Sequence, residues 1–248
     1  MTAETYERTF ALTGCGNFRD LGGYEAKDGR RTRWRTLFRS DALHQLNDQD
    51  IDVLGDAGIR LALGFDLRSA RELENTGQGT VYERGARHVH VPLIQTIASN
   101  SEVIGQMQQM QRLSYFDRLA DAIEPIGQIF DLLAESGTYP AVFYCAAGKD
   151  RTGIVAALIL RAIGVSDDDI VADYMLTQPT SPERREARMR ELGLENLQLN
   201  PKLFEASDEA MRTLLSTIDE THGSVEGYLT MCGIESRTIE RVQDHLLE

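Results

Sequence analysis

Residues 141–153 read Ala-Val-Phe-Tyr-Cys-Ala-Ala-Gly-Lys-Asp-Arg-Thr-Gly, and the rest of the chain falls into place around them. Ala141 to Tyr144 has the length and apolar character of a buried strand. A short loop with Gly148 and Lys149 follows. From Gly153 to Ile163 the sequence is then apolar on nearly every face, as for a helix enclosed in a core, with Gly164 as its C-terminal cap. A strand, a tight loop and a helix N-terminus in that order aim a ring of backbone N–H groups and the positive end of the helix dipole at one point. An anion such as phosphate suits that point. Cys145 stands at its floor, and Arg151 follows after five intervening residues.

That spacing has a chemical use. A cysteine thiol, with a reference pKa of about 8.5, becomes acidic and nucleophilic at a helix N-terminus or beside a cation. The thiolate of Cys145 can attack phosphorus in line and give a cysteinyl-phosphate that water then hydrolyses. Arg151 has the planar fork to hold two phosphoryl oxygens, and the intervening residues let the chain wrap the group first. Backbone N–H groups of Ala146, Ala147 and Gly148 onward supply the rest of the oxyanion cradle, which Thr152 and Gly153 close at the start of the helix. The Thr152 hydroxyl is expected to donate to the cysteine sulfur. The leaving group needs a proton, and two carboxyls are candidates: Asp150 inside the loop, and Asp66 at the end of a neighbouring strand. Lys149 adds charge at the rim, favouring substrates with more than one phosphate. A chance Cys-x5-Arg is common, but a strand before it and Arg-Thr-Gly leading into an apolar helix after it are the context that gives it meaning.

The composition frames the remainder. Of 248 residues, 42% are hydrophobic and 26% charged, enough to bury a substantial core. A net charge of −13 argues against nucleic acid or an anionic membrane as partner for the general surface. Three cysteines, Cys15, Cys145 and Cys232, are few and widely spaced, which suits a reducing compartment rather than a disulfide framework. No apolar run approaches the ~20 residues of a membrane span, and MTAETYERTF has no signal-peptide core. The cytoplasm is the expected compartment, with export by a route needing no signal peptide left open. Oligomeric state is not legible.

Taken in order, Asn17 to Tyr24 ends in a Gly-Gly turn, and Asp28-Gly29 predicts a hairpin. Alternation through Arg31, Arg33 and Arg35 predicts a strand with three arginines on one face, a solvated edge or an anion-facing rim. Asp41 to Gly58 reads as a helix capped by Asn47, and Ile59 to Leu67 as a buried strand delivering Asp66 and Arg68 at its C-terminal end, where ligands of parallel sheets collect. Arg87 to Leu93 predicts a short strand whose His88 and His90 face one way. A pair without a third ligand is a weak metal site, so a structural role is expected. Ser99 to Gln111 reads as a loop with a helical turn, Phe116 to Leu133 as an amphipathic helix bent at Pro125 and ended by Gly137, and Ser166 as the cap of a helix from Asp167 to Met175. Ser181-Pro182 opens a very charged helix, and residues 200–248 supply two or three more. With no repeat and no convincing linker, one domain over residues 1–248 is expected.

NFRDLGGY at Asn17, LFRSDAL at Leu37, DLRSARE at Asp66, CAAGKDRTG at Cys145, DYMLT at Asp173 and GSVEGYL at Gly223 together resemble the cysteine-dependent protein tyrosine phosphatase superfamily, and within it the atypical bacterial tyrosine and dual-specificity phosphatases of the PtpB type. The motifs occur in the family's order across most of the chain. The resemblance implies an α/β fold with a central, mostly parallel sheet flanked by helices, an N-terminal β-hairpin region and a C-terminal helical segment with a lid at about residues 178–200. It implies no metal and no cofactor. Cys145 matches the nucleophile, Arg151 the phosphate binder, Asp150 an in-loop general acid, and Lys149 a lysine linked to phosphoinositide as well as phosphoprotein hydrolysis. One position departs: most of the superfamily has His before the cysteine, where this chain has Tyr144. Two other readings stand beside this one, a rhodanese-like sulfurtransferase and a phosphate- or phosphoinositide-binding module with weak turnover.

Overall fold

The computed structural model describes residues 6–93, 119–177, 186, 190 and 205–248. A five-stranded sheet runs through its middle, built from β1 (Arg19–Asp20), β2 (Leu37–Ser40), β3 (Leu63–Asp66), β4 (Arg87–His90) and β5 (Ala141–Tyr144) in the order β1-β2-β5-β3-β4. Only β1 is antiparallel to its neighbour; β2, β5, β3 and β4 are mutually parallel. Central, parallel and covered on both faces, β5 is buried at all four positions, as its apolar run predicts.

Side-chain alternation divides the core in two. Leu37, Leu63, Phe65, Ala141 and Phe143 point into the larger cluster. There they meet α4 (Asp150–Ala162), which follows the central loop, together with α3 (Ile123–Leu133), α6 (Asp208–His222), α7 (Val225–Met231) and α8 (Ser236–Leu246). Phe38, Val142 and Tyr144 point the other way, onto Phe18, Leu43, Leu54 and Ile59 around α1 (Asp48–Asp56). Ten of the thirteen residues of α4 are buried, so the helix is held by packing on most of its surface rather than by propensity.

The predicted punctuation is where physics puts it. Asn47 and Asp50 form a reciprocal capping box on α1, and Ser166 caps α5 (Asp167–Met175). Gly164 follows α4 at φ +90°, and Gly29 makes the hairpin turn at φ +86°. Three expectations need correction. Arg31, Arg33 and Arg35 do not share a strand face: residues 34–36 form a turn in which Arg35, at φ +59°, gives its N–H to the Asp20 carboxylate at 2.8 Å. Arg31 instead reaches Glu25, and Arg33 the Leu247 carbonyl. Pro125 does not bend α3; it sits in the first turn, where its missing N–H has no intrahelical partner to lose, and the helix stops at Leu133 rather than Gly137. Helix α1 begins at Asp48 rather than Asp41, after a separate helical turn over Leu43–Gln45. The Ser99 to Gln111 loop, the Ser181-Pro182 helix and nearly all of the lid segment at 178–200 lie outside the described residues.

Candidate active site

Strand β5 ends at Tyr144, and the chain turns at once into the loop 145–149. Cys145 is buried at its base, while Ala146, Ala147, Asp150 and Arg151 are partly exposed above it. The turn depends on Gly148, whose φ is +67°. A Cβ there would stand 2.6 Å from the Asp41 nitrogen and 2.7 Å from the Ser40 carbonyl, so the loop can lie this close to the end of β2 only with glycine. Lys149 is the N-cap of α4 and Asp150 its first residue, which puts the helix's positive end at the loop.

Arg151, one residue into the helix, is already aimed. Its Nη1 and Nη2 donate to Glu72 Oε2 and Oε1 at 2.6 and 2.9 Å, and Nη1 also donates to the Leu67 carbonyl at 3.2 Å. Burial alone would lower the Arg151 pKa, but the Glu72 carboxylate outweighs it and the net direction is upward, so the guanidinium stays charged. Glu72 is held in turn: it closes a capping box with Ser69 at the start of α2 (Ala70–Thr76). The Ser-x-x-Glu spacing within DLRSARE is a signal that could have found this cap, which the sequence reading missed, but nothing in the sequence tied Glu72 to an arginine 79 residues away.

Lys149 does not stand at the rim as expected: it is buried, its Nζ donating to the Glu205 carbonyl at 3.1 Å and lying 3.6 Å from the Asp150 carboxylate. The Thr152 hydroxyl, fully buried against the end of β2, donates to the Ser40 carbonyl at 3.5 Å rather than to the cysteine sulfur. Tyr144 accepts a 2.8 Å hydrogen bond from the Tyr82 hydroxyl, and its carbonyl accepts the Leu67 N–H at 2.9 Å. Burial raises both phenols well above their usual range, so the pair stays neutral and anchors the end of β5 from the smaller core.

Asp66 and Arg68 are not in the position expected of them. Both are fully buried, and they face one another through bonds of 2.9 Å from Nε to Oδ1 and 2.6 Å from Nη2 to Oδ2. Burial alone would raise the Asp66 carboxyl, but Arg68 and His88 together hold it down to about 2. A shielded, strongly ionised carboxylate has no proton to give and no open face to a substrate. His88 lies 3.1 Å from Asp66, and His90 lies 2.8 Å from the Arg68 carbonyl, so the histidine pair has the structural part expected for it.

A mostly parallel sheet whose central strand delivers a cysteine into a tight loop, with an arginine at the second position of the following buried helix, is the arrangement of a cysteine-dependent phosphatase. The chain belongs to the tyrosine phosphatase family, whose profile matches residues 10–248, and it is a hydrolase of the protein tyrosine phosphatase type. It is 30% identical to the triple specificity protein phosphatase PtpB of Mycobacterium tuberculosis over 95% of this chain and 98% of that one. It is 29% identical to a putative tyrosine-protein phosphatase of Cupriavidus necator, covering 88% and 82% of the two chains. A tyrosine-protein phosphatase of Nostoc commune is 25% identical over 84% and 73%. Among the described residues no helix is long and apolar enough to cross a membrane.

Proposed function

We propose that Cys145 is the nucleophile, Arg151 the phosphoryl clamp and Asp150 the general acid of this phosphatase, acting on phosphotyrosine in proteins and also on phosphoserine, phosphothreonine or phosphoinositides. The observation that carries the reading is the bidentate hold of Glu72 on Arg151 above a buried Cys145 at the end of the central strand. The guanidinium is set before substrate arrives, so little of its ordering has to be supplied on binding.

In the first step the Cys145 thiolate displaces the alcohol or phenol from phosphorus. The S–P bond forms as the P–O bond breaks, and Asp150 gives the leaving oxygen its proton. Charge building on the equatorial oxygens meets the loop N–H groups of Ala146, Ala147 and Gly148, the positive end of α4 and Arg151, while the Gly153 N–H expected to help close the cradle is taken by the Lys149 carbonyl at 2.7 Å. In the second step water attacks phosphorus, Asp150 takes a proton from it, and the thiolate leaves. Lys149, buried beside the loop, adds positive charge near the cradle, which favours substrates of higher negative charge, phosphoinositides among them. The relative from Mycobacterium tuberculosis carries triple specificity in its name, which favours the broader substrate range. The fold and site are read as one catalytic domain over residues 1–248, working without metal or cofactor.

Replacing Cys145 by Ser is expected to abolish turnover of an aryl phosphate while leaving the circular dichroism spectrum and Tm unchanged. Undiminished turnover would overturn the assignment. A thiosulfate:cyanide assay beside it tests for a sulfurtransferase, which the Asp-Arg-Thr-Gly ending of the loop disfavours.

A further inference from the structure

We infer that Asn17 and Arg39, the latter backed by Asp173 and Arg19, are positioning residues for phosphoryl transfer, because they turn the loop's N–H groups towards the phosphate by holding its carbonyls from behind. The inference rests on the reading of residues 145–151 as the phosphoryl cradle.

Three consecutive loop carbonyls are taken up on the side of β2 and the N-terminal segment. Ala146 O accepts from the Ala42 N–H at 3.4 Å, Ala147 O from Asn17 Nδ2 at 3.0 Å, and Gly148 O from Arg39 Nη2 at 3.1 Å. In a planar trans peptide the carbonyl of one residue and the N–H of the next point in opposite directions. With those carbonyls fixed, the N–H groups of Ala147, Gly148 and Lys149 must face away from the anchors. A peptide that flipped here would present an oxygen, and not a hydrogen, to an incoming anion.

The anchors are themselves held. The Asn17 backbone N–H donates to Asp41 Oδ1 at 3.0 Å, and Gly16 gives its N–H to the same carboxylate, with Oδ2 at 2.9 Å. Arg39 Nη1 is 2.6 Å from Asp173 Oδ2, while Asp173 Oδ1 receives Arg19 Nε and the Tyr24 hydroxyl, each at 3.1 Å. Arg19, Arg39 and Asp173 are all almost fully buried. Two buried guanidiniums on one carboxylate are a costly way to fill a core, since apolar side chains of similar volume are often as stable or more so. Arg39 Nε, moreover, has no hydrogen-bond partner among the described residues. What the ion cluster provides that apolar packing cannot is a donor directed at the Gly148 carbonyl. The same inference gives a use to Asn17 and Arg19 of NFRDLGGY, Arg39 and Asp41 of LFRSDAL, and Asp173 of DYMLT.

Asn17→Asp tests this, because it removes the side-chain donor without changing shape and leaves the backbone N–H to Asp41 intact. The readouts are kcat and KM on an aryl phosphate, the inhibition constant of orthovanadate, and Tm. Expected is a fall in kcat of at least about tenfold with a parallel weakening of vanadate, since both depend on the same N–H groups. Arg39→Lys, which cannot reach Asp173 and Gly148 together, is expected to show the same paired loss. If Asn17→Asp does not fold, Asn17→Ser, with a shorter donor, carries the measurement. Variants whose Tm falls while kcat and vanadate affinity stay within about twofold of the parent would show these groups to be merely structural and overturn the inference. A parent enzyme without aryl phosphatase activity would overturn the cradle reading itself.

Discussion

Strands β3 and β5 lie side by side and in register, Asp66 opposite Tyr144, and both deliver polar chemistry at their C-terminal ends. Their outcomes differ. β3 leaves into Leu67-Arg68, and the guanidinium folds straight back onto the Asp66 carboxylate, closing that end with an ion pair that water does not reach. β5 leaves into Cys145-Ala-Ala-Gly, which carries no charged side chain until Lys149, so no ion pair between neighbouring residues closes its turn. The arginine that serves this second end comes from the helix beyond and is restrained by Glu72 from a third element. Charged residues at the end of a parallel strand therefore do not make a site. What matters is whether the nearest opposite charge satisfies them locally or from a distance that leaves a gap.

The largest effect expected at the open end is from Asp150→Asn. Loss of general acid catalysis should slow alkyl phosphates by roughly 10²–10⁴-fold and aryl phosphates, whose leaving groups need less help, much less. Equal slowing of both, in steady-state assays at the same pH, would take the acid role away from Asp150. Gly148→Ala comes next. Its Cβ would press on Asp41 and Ser40, and a loop displaced by about 1 Å should lose on the order of 10²-fold in kcat. A rate within a few-fold of the parent would mean that the close approach to β2 is unimportant.

The closed end should respond in the opposite way. Asp66→Asn strands a buried Arg68 and is expected to cost about 3–5 kcal/mol in urea unfolding, while kcat per folded molecule changes only a few-fold. A large loss of rate with little loss of stability would restore Asp66 to the chemistry. Acid gives the smallest and most graded test. Asp66 and Asp173 both titrate at about 2 in the folded protein, below the ~3.9 of an unfolded aspartate. The unfolded chain therefore takes up these protons first. The stability the two carboxylates lend is whole above about pH 4 and is lost progressively as pH falls towards 2. Tm measured from pH 6 to pH 2 should show that decline, and Asp66→Asn should flatten it.

Much of this was legible in the chain because it is local. The strand-loop-helix reading of 141–163, the caps at Asn47 and Ser166 and the turn at Gly29 all rest on neighbours within a few residues. So does the spacing of Cys145 and Arg151. The supports of the loop were not legible, because their partners are remote: Arg19 meets Asp173 across 154 residues and Arg39 meets it across 134. Such pairings leave no periodicity. Asp66 misled because its position at a strand end was visible while the fold-back of Arg68 was not, and Arg35 broke its strand because Asp20 captures its N–H. The resemblance of separate motifs to one family was the sign that these distant residues belong together.

The central claim is that phosphate passes through a covalent bond to Cys145. The direct measurement is rapid acid quench of the enzyme with a ³²P-labelled aryl phosphate, followed by peptide mapping by mass spectrometry. Label on the peptide containing Cys145, formed and lost at rates consistent with turnover and missing in Cys145→Ser, is the predicted result. Full turnover with no phosphocysteine, or with label on another residue, would contradict the account.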